Sequence, residues 1–183
     1  VTITLSGFSL GLGVVHLLAG VMLLAVPAVV RAGLVRFPRH VWMGRLLAAV
    51  ALGWSAVLVG EMPLGWFDAY KGWLWVGVPL IYLLVILLMD ELLAARALGG
   101  LWLLLPAPLL EVARFHPSAW RLLPVVLAYV WVLMGMALVL APYRFRKWGA
   151  VFYSTDGRCR GLGAALLGLG GLFLGLAVTE FSR

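Results

Sequence analysis

Long apolar runs alternate with short polar breaks along the whole chain. The runs extend from about Thr4 to Val30, Val41 to Gly60, Trp73 to Met89, Leu92 to Leu110, Leu122 to Ala141 and Gly161 to Val178. Each approaches the roughly 20 apolar residues that carry a helix across a bilayer. The pattern predicts an all-α, polytopic membrane protein of about six transmembrane helices. Within the first run, Gly7, Gly11, Gly13 and Gly20 offer small surfaces for a second helix, and Gly7 with Gly11 forms a small-xxx-small pair. Pro79 predicts a mild kink in the third run, and Pro106 with Pro108 a distorted second half of the fourth. Residues 61–73 read as a turn-rich aromatic loop, residues 31–45 as a connector able to hold a short amphipathic helix, and Asp156-Gly157 as a turn.

The same pattern repeats at a fixed offset. Leu17 to Gly60 lies on Val132 to Gly175 without a gap, shifted by 115 residues, with 12 of 44 pairs identical. Identities at Leu, Ala and Gly come easily in such a composition. Those at Pro27/Pro142, Arg31/Arg146, Phe37/Phe152 and Arg45/Arg160 involve scarcer residues and carry the alignment. Each copy reads as an apolar helix, a proline, a basic connector, an arginine and a second apolar helix. Arg45-Leu-Leu-Ala, Arg96-Ala-Leu-Gly and Arg160-Gly-Leu-Gly each open such a second helix, and Glu61, Glu111 and Glu180 each close one. The chain therefore reads as one membrane domain of two or three helical hairpins, at about 4–61, 72–114 and 122–180. Three units of equal orientation would be related by a pseudo-axis along the membrane normal. The middle unit lacks the proline and the basic connector.

Composition excludes a soluble reading. Hydrophobic residues make up 64% of the 183 positions and charged ones 11%, against about a half and a quarter in soluble domains. The net charge of +7 does not point to nucleic acid, because its carriers sit between apolar runs. Residues 31–45 hold four arginines and no acid, and residues 143–160 hold five basic residues and Asp156. The other face of the membrane balances to zero. Both basic connectors are therefore expected in the cytoplasm of a bacterial inner membrane, with both termini outside. Residues 1–30 carry no charged side chain, so the N-terminal run reads as the first span and not as a signal peptide. Cys159 is the only cysteine, which rules out an internal disulfide and a multi-cysteine metal site.

The unit Gly135…Pro142-Tyr-Arg-Phe-Arg-Lys-Trp…Arg160-Gly-Leu-Gly resembles the YjeT-like small two-helix inner-membrane proteins. The shared features are a glycine, a proline followed by an aromatic and basic cluster, and an arginine with a nearby glycine opening the second helix. The resemblance covers one hairpin and, less closely, the first copy. It implies a fold and carries no chemistry.

Candidate chemistry is sparse. His16 is the one titratable group deep in a span, a candidate haem or quinone contact or proton relay, or a neutral histidine bonded to another helix. Its repeat partner is Trp131, which cannot ligate, and His40 and His116 sit near helix ends. Arg45, Arg96 and Arg160, with Arg31 and Arg146, are candidate contacts for lipid phosphate or another anion, or snorkel to the headgroups. Asp90 and Glu91 are acidic on the basic side and are expected to form ion pairs with arginines. No HExxH, Gly-rich phosphate loop or nucleophile–base signature occurs. The sequence thus predicts no enzyme, no obligate cofactor and no metal. Membrane lipids and other integral membrane subunits are the expected partners. The leading expectation is an accessory, structural subunit of a larger membrane complex. The alternatives are a small transporter or channel and a haem- or quinone-binding anchor.

Overall fold

A computed structural model describes residues 4–89 and 92–181. Among these the protein is helical, with no strand. The helices are α1 (Leu5–Ala25), α2 (Pro27–Arg36), α3 (Val41–Glu61), α4 (Leu74–Leu88), α5 (Leu93–Leu104), α6 (Pro106–Arg114), α7 (Leu122–Leu140), α8 (Arg144–Phe152) and α9 (Asp156–Thr179). Six segments are long and apolar enough to cross a membrane: Leu5–Ala25, Val41–Glu61, Gly65–Leu88, Leu93–Arg114, Ala119–Leu140 and Asp156–Thr179. The protein is a multi-pass helical membrane protein.

Local chemistry sets the boundaries. Thr4 caps α1, its hydroxyl accepting from the Gly7 amide at 3.1 Å. The helix stops at Val26 because Pro27 pushes the preceding residue out of the α region. The first span is therefore shorter than its apolar run, and residues 27–36 form a separate helix. Ala141 ahead of Pro142 repeats this break, with φ/ψ of −139°/72° against −133°/56° at Val26. Met89 ends α4 at −123°/56° although no proline follows it. The second helices share a start as well. His40 and Thr155, which the 115-residue offset pairs, cap α3 and α9 by accepting from the amides of Met43 and Arg158. Asp156-Gly157 is accordingly the first turn of α9 and not a turn before it. Pro79 lies inside an unbroken α4, whereas Pro106 separates α5 from α6. The aromatic loop is itself helical, a 3-10 stretch over Gly65–Trp73.

Packing runs between units more than within them. α1 lies along α9 and α7 along α5, both antiparallel, while α5 runs parallel to α3. α4 leans chiefly on α3, with the Tyr82 hydroxyl donating to the Arg45 carbonyl at 3.3 Å. The hairpins are thus open: the two spans of the first and last units are joined by α2 and α8 and packed against other spans. Lipid tails are as apolar as leucine, so close approach and dispersion hold such helices together. Glycine supplies the approach. A Cβ on Gly99 would lie 2.8 Å from the Gly135 carbonyl oxygen, and one on Gly135 2.8 Å from that of Gly99. Gly20 and Gly163 stand in the same reciprocal relation at 2.8 and 2.9 Å, and Gly13 meets Gly170 one heptad away. Gly11 has nothing near its would-be Cβ and Gly7 only its own cap, so the small-xxx-small pair is not the contact. Around these crossings Phe173, Leu109 and Leu138 are fully buried. Ser9 is the one buried polar residue among those described, and its hydroxyl has no partner.

Candidate functional site

The connectors between spans build an arginine-lined concavity. In α8 the sequence RFRKWGAVF buries Phe145 and Gly149, one turn apart, and leaves Arg144, Arg146 and Lys147 exposed. The Phe145 ring stands 5.4 Å from Phe37 and 6.4 Å from Tyr153. Gly149 makes room for Tyr153, whose ring would lie 2.6 Å from any Cβ there. The Tyr153 hydroxyl donates to the Phe145 carbonyl at 3.3 Å. Burial raises the phenol above its ordinary value, so it remains a neutral donor at physiological pH.

This cluster seats α8 against α2. Arg31 of α2 forms an ion pair with Asp156 at 2.9 Å and donates to the Ser154 carbonyl at 3.3 Å. Arg158 donates to the Ala150 carbonyl at 2.8 Å and to the Ser154 hydroxyl at 2.9 Å. Residues 153–156 are thereby tied to both connectors. Between the helices lies a groove of about 600 Å³ walled by Ala28, Ala32, Val35, Pro38, Gly149 and Ala150, with Arg31, Arg36 and Arg146 on its rim. A second hollow of about 460 Å³ adjoins it, sharing Val35, Arg36, Pro38 and Arg146 and adding Arg39 and His40. Arg36, Arg39 and Arg146 have no carboxylate partner among the described residues. On the inner side, Leu34, Phe145 and Tyr153 also wall an apolar cavity of about 470 Å³, which reaches Leu98, Trp102, Met134 and Leu162 in the spans.

The structure brings Arg31 and Arg146 together here, two residues that the offset aligns. Arg45, Arg96 and Arg160 line neither the groove nor the hollow beside it. Arg160 is exposed on α9, whose chief neighbour is α1, while Arg45 and Arg96 lie on the packed pair α3 and α5. The Nε atoms of Arg45 and Arg96 are buried without a hydrogen bond, and the Arg45 guanidinium stands 5.5 Å over Trp42. Asp90 and Glu91 lie outside the described residues. Arg36, Arg39 and His40 are site residues that the sequence left as undifferentiated charge. Their offset partners are Val151, Ser154 and Thr155, so no repeat singled them out.

His16 lines an open cleft of about 650 Å³ with Phe8, Trp102, Leu105, Trp131 and Leu166. Its Nδ1 lies 2.7 Å from the Leu12 carbonyl oxygen, which can only accept, so Nδ1 carries the proton. In the neutral ring that tautomer leaves Nε2 as an acceptor or ligand atom. It suits a hydroxyl donor better than a quinone carbonyl, which needs a donor itself. His40 is engaged as a helix cap, and His116 accepts from the Ser118 amide at 3.3 Å beside the Phe181 ring. No group of three His, Cys, Asp or Glu side chains gathers among the described residues. Comparison with protein-family models, curated proteins and solved structures found no match to this chain.

Proposed function

We propose that the chain is an accessory, structural subunit of a larger membrane complex in the bacterial inner membrane. The observation that carries this reading is the third span. No residue of Gly65–Leu88 is buried, and the segment exposes Trp66, Trp73, Trp75, Leu87 and Leu88. Leu93–Arg114, by comparison, is 39% buried over its most apolar window. A span that gains so little packing from its own chain gains it from another membrane helix, since helix association in lipid rests on close packing. The interior favours this reading over a solute path, which needs polar or acidic groups at mid-membrane. Ser9 alone is buried and polar among the described residues.

The units are internal repeats, supported by the common break at Val26, Met89 and Ala141 and by the paired caps His40 and Thr155. The basic connectors face the cytoplasm and the termini lie outside. Photo-crosslinkers at Trp75 and Leu87, tested in native membranes against Leu133 and Val178 on other spans, check the assignment. Discrete protein adducts confined to the α4 positions are expected. Lipid adducts alone at every position, together with a monomer on native gels, refute it. Impermeant thiol labelling of Ser154→Cys and Thr4→Cys checks the orientation.

A further inference from the structure

The geometry points to a binding site for one anionic phospholipid, its phosphate in the groove between α2 and α8 and an acyl chain in the apolar cavity behind it. This inference does not rest on the accessory-subunit reading. The groove offers Arg36 and Arg146, both exposed and neither committed to a carboxylate among the described residues. Guanidinium forks suit the oxygens of a phosphate. Arg31 is already held by Asp156, so it shapes the groove and adds less to binding.

The cavity behind decides between a lipid and a free anion. It shares Leu34, Phe145 and Tyr153 with the groove and is otherwise walled by Phe37 and by apolar side chains of α8 (Trp148, Phe152) and of the spans α5, α7 and α9. Met134 lies eight residues before Pro142, and Leu162 six residues after Asp156. Counted from Leu140 and Asp156, the ends of α7 and α9, both lie six residues in, so at 1.5 Å per residue the cavity extends from the connectors to roughly 9 Å inside the span ends. A charged groove at headgroup level, opening beside a cavity at the depth of the upper acyl chain, has the polarity profile of an amphiphile. A free phosphate would use only the outer half.

Native mass spectrometry of the detergent-purified protein tests this with dioleoyl phosphatidylglycerol, dioleoyl phosphatidylcholine and glycerophosphoglycerol as probes. One phosphatidylglycerol adduct should survive activation, held on the order of tenfold more tightly than phosphatidylcholine. Glycerophosphoglycerol, the headgroup without its chains, should bind at least about 100-fold more weakly, because the acyl contacts are gone. Arg36→Gln with Arg146→Gln should abolish the preference. Arg144→Gln with Lys147→Gln removes the same amount of charge from α8 outside the groove and should leave it intact. These side chains are exposed, and unchanged thermal unfolding shows that the fold persists. Equal retention in both double variants, equal loss in both, or headgroup binding as tight as that of the lipid would overturn the proposal. The single variants Arg36→Gln and Arg146→Gln should each give a partial loss, and no loss in either has the same meaning.

Discussion

The crossing of α5 and α7 gives the sharpest test of how the spans are held. Gly99→Ala puts a methyl 2.8 Å from the Gly135 carbonyl oxygen and 2.8 Å from the Leu138 Cβ. Neither atom can yield by a rotamer change, unlike the Leu174 side chain that faces Gly13. Ordinary contact begins near 3.4 Å, so the helices must part by more than half an ångström at their closest point. Overpacking of this kind costs about 1–3 kcal/mol. It also weakens the Cα–H···O contacts that such an approach permits. Alanine returns about 1 kcal/mol of helix propensity. The net loss is therefore about 1–2 kcal/mol. Gly168→Ala and Gly171→Ala on α9 are the matched controls, since nothing lies within 4 Å of either would-be Cβ. They should be neutral or stabilising by up to about 1 kcal/mol. Gly135→Ala forces the same separation from the other side, its methyl 2.8 Å from the Gly99 carbonyl oxygen, so the double variant should cost less than the sum of the two singles. Unfolding by SDS titration in mild detergent, followed by tryptophan fluorescence, measures all five. If Gly99→Ala unfolds at the same SDS fraction as Gly168→Ala, the close crossing is not what holds α5 to α7.

Ser9→Ala removes a buried hydroxyl with no partner and should leave thermal stability unchanged or raise it by about 1 kcal/mol. A clear loss would mean that the hydroxyl is satisfied. His40→Ala and Thr155→Ala should each cost about 0.5–2 kcal/mol through the lost caps of α3 and α9, whereas Thr155→Ser should not. Thermal unfolding in one detergent checks all three. Asp156→Asn frees Arg31 from its partner. Because the pair is about half exposed, stability should fall by no more than about 1 kcal/mol, and a larger fall would show that the pair holds the connectors together.

The spans were legible because hydrocarbon forces them to be apolar and about 20 residues long. What the sequence misplaced was chiefly at their ends. Hydropathy runs straight through Pro27, whereas the helix breaks there, so the first turn of α2 was absorbed into the first span and the connector helix expected within residues 31–45 begins earlier, at Pro27. Thr155 turned an apparent Asp-Gly turn into the first turn of α9, because a capping hydroxyl outweighs the turn preference of the dipeptide. Which glycines meet was not legible either. Gly7 and Gly11 fit the familiar spacing, yet Gly13 and Gly20 make the contact, because α9 supplies Gly170 and Gly163 at the matching heights. The groove was half legible. Arg31 and Arg146 were marked by the repeat, while Arg36 and Arg39 gained meaning only once α2 and α8 were seen to face each other.

That facing depends on the middle unit being different. Arg31 and Arg146 are aligned by the 115-residue offset, and each lies four residues after a proline at the start of a connector helix or just ahead of it. Between α4 and α5 there is room for no such helix, since one ends at Leu88 and the other begins at Leu93. Three connector helices around a pseudo-axis would have met in a ring of like charge. With two, the connectors pair across a single seam, and Asp156, whose offset partner is the uncharged Val41, offsets one arginine of the pair. The unit without a connector helix also carries the span with no buried residue, α4. The short link between α4 and α5 thus accompanies both a basic groove confined to the seam of α2 and α8 and a span, α4, that buries no residue.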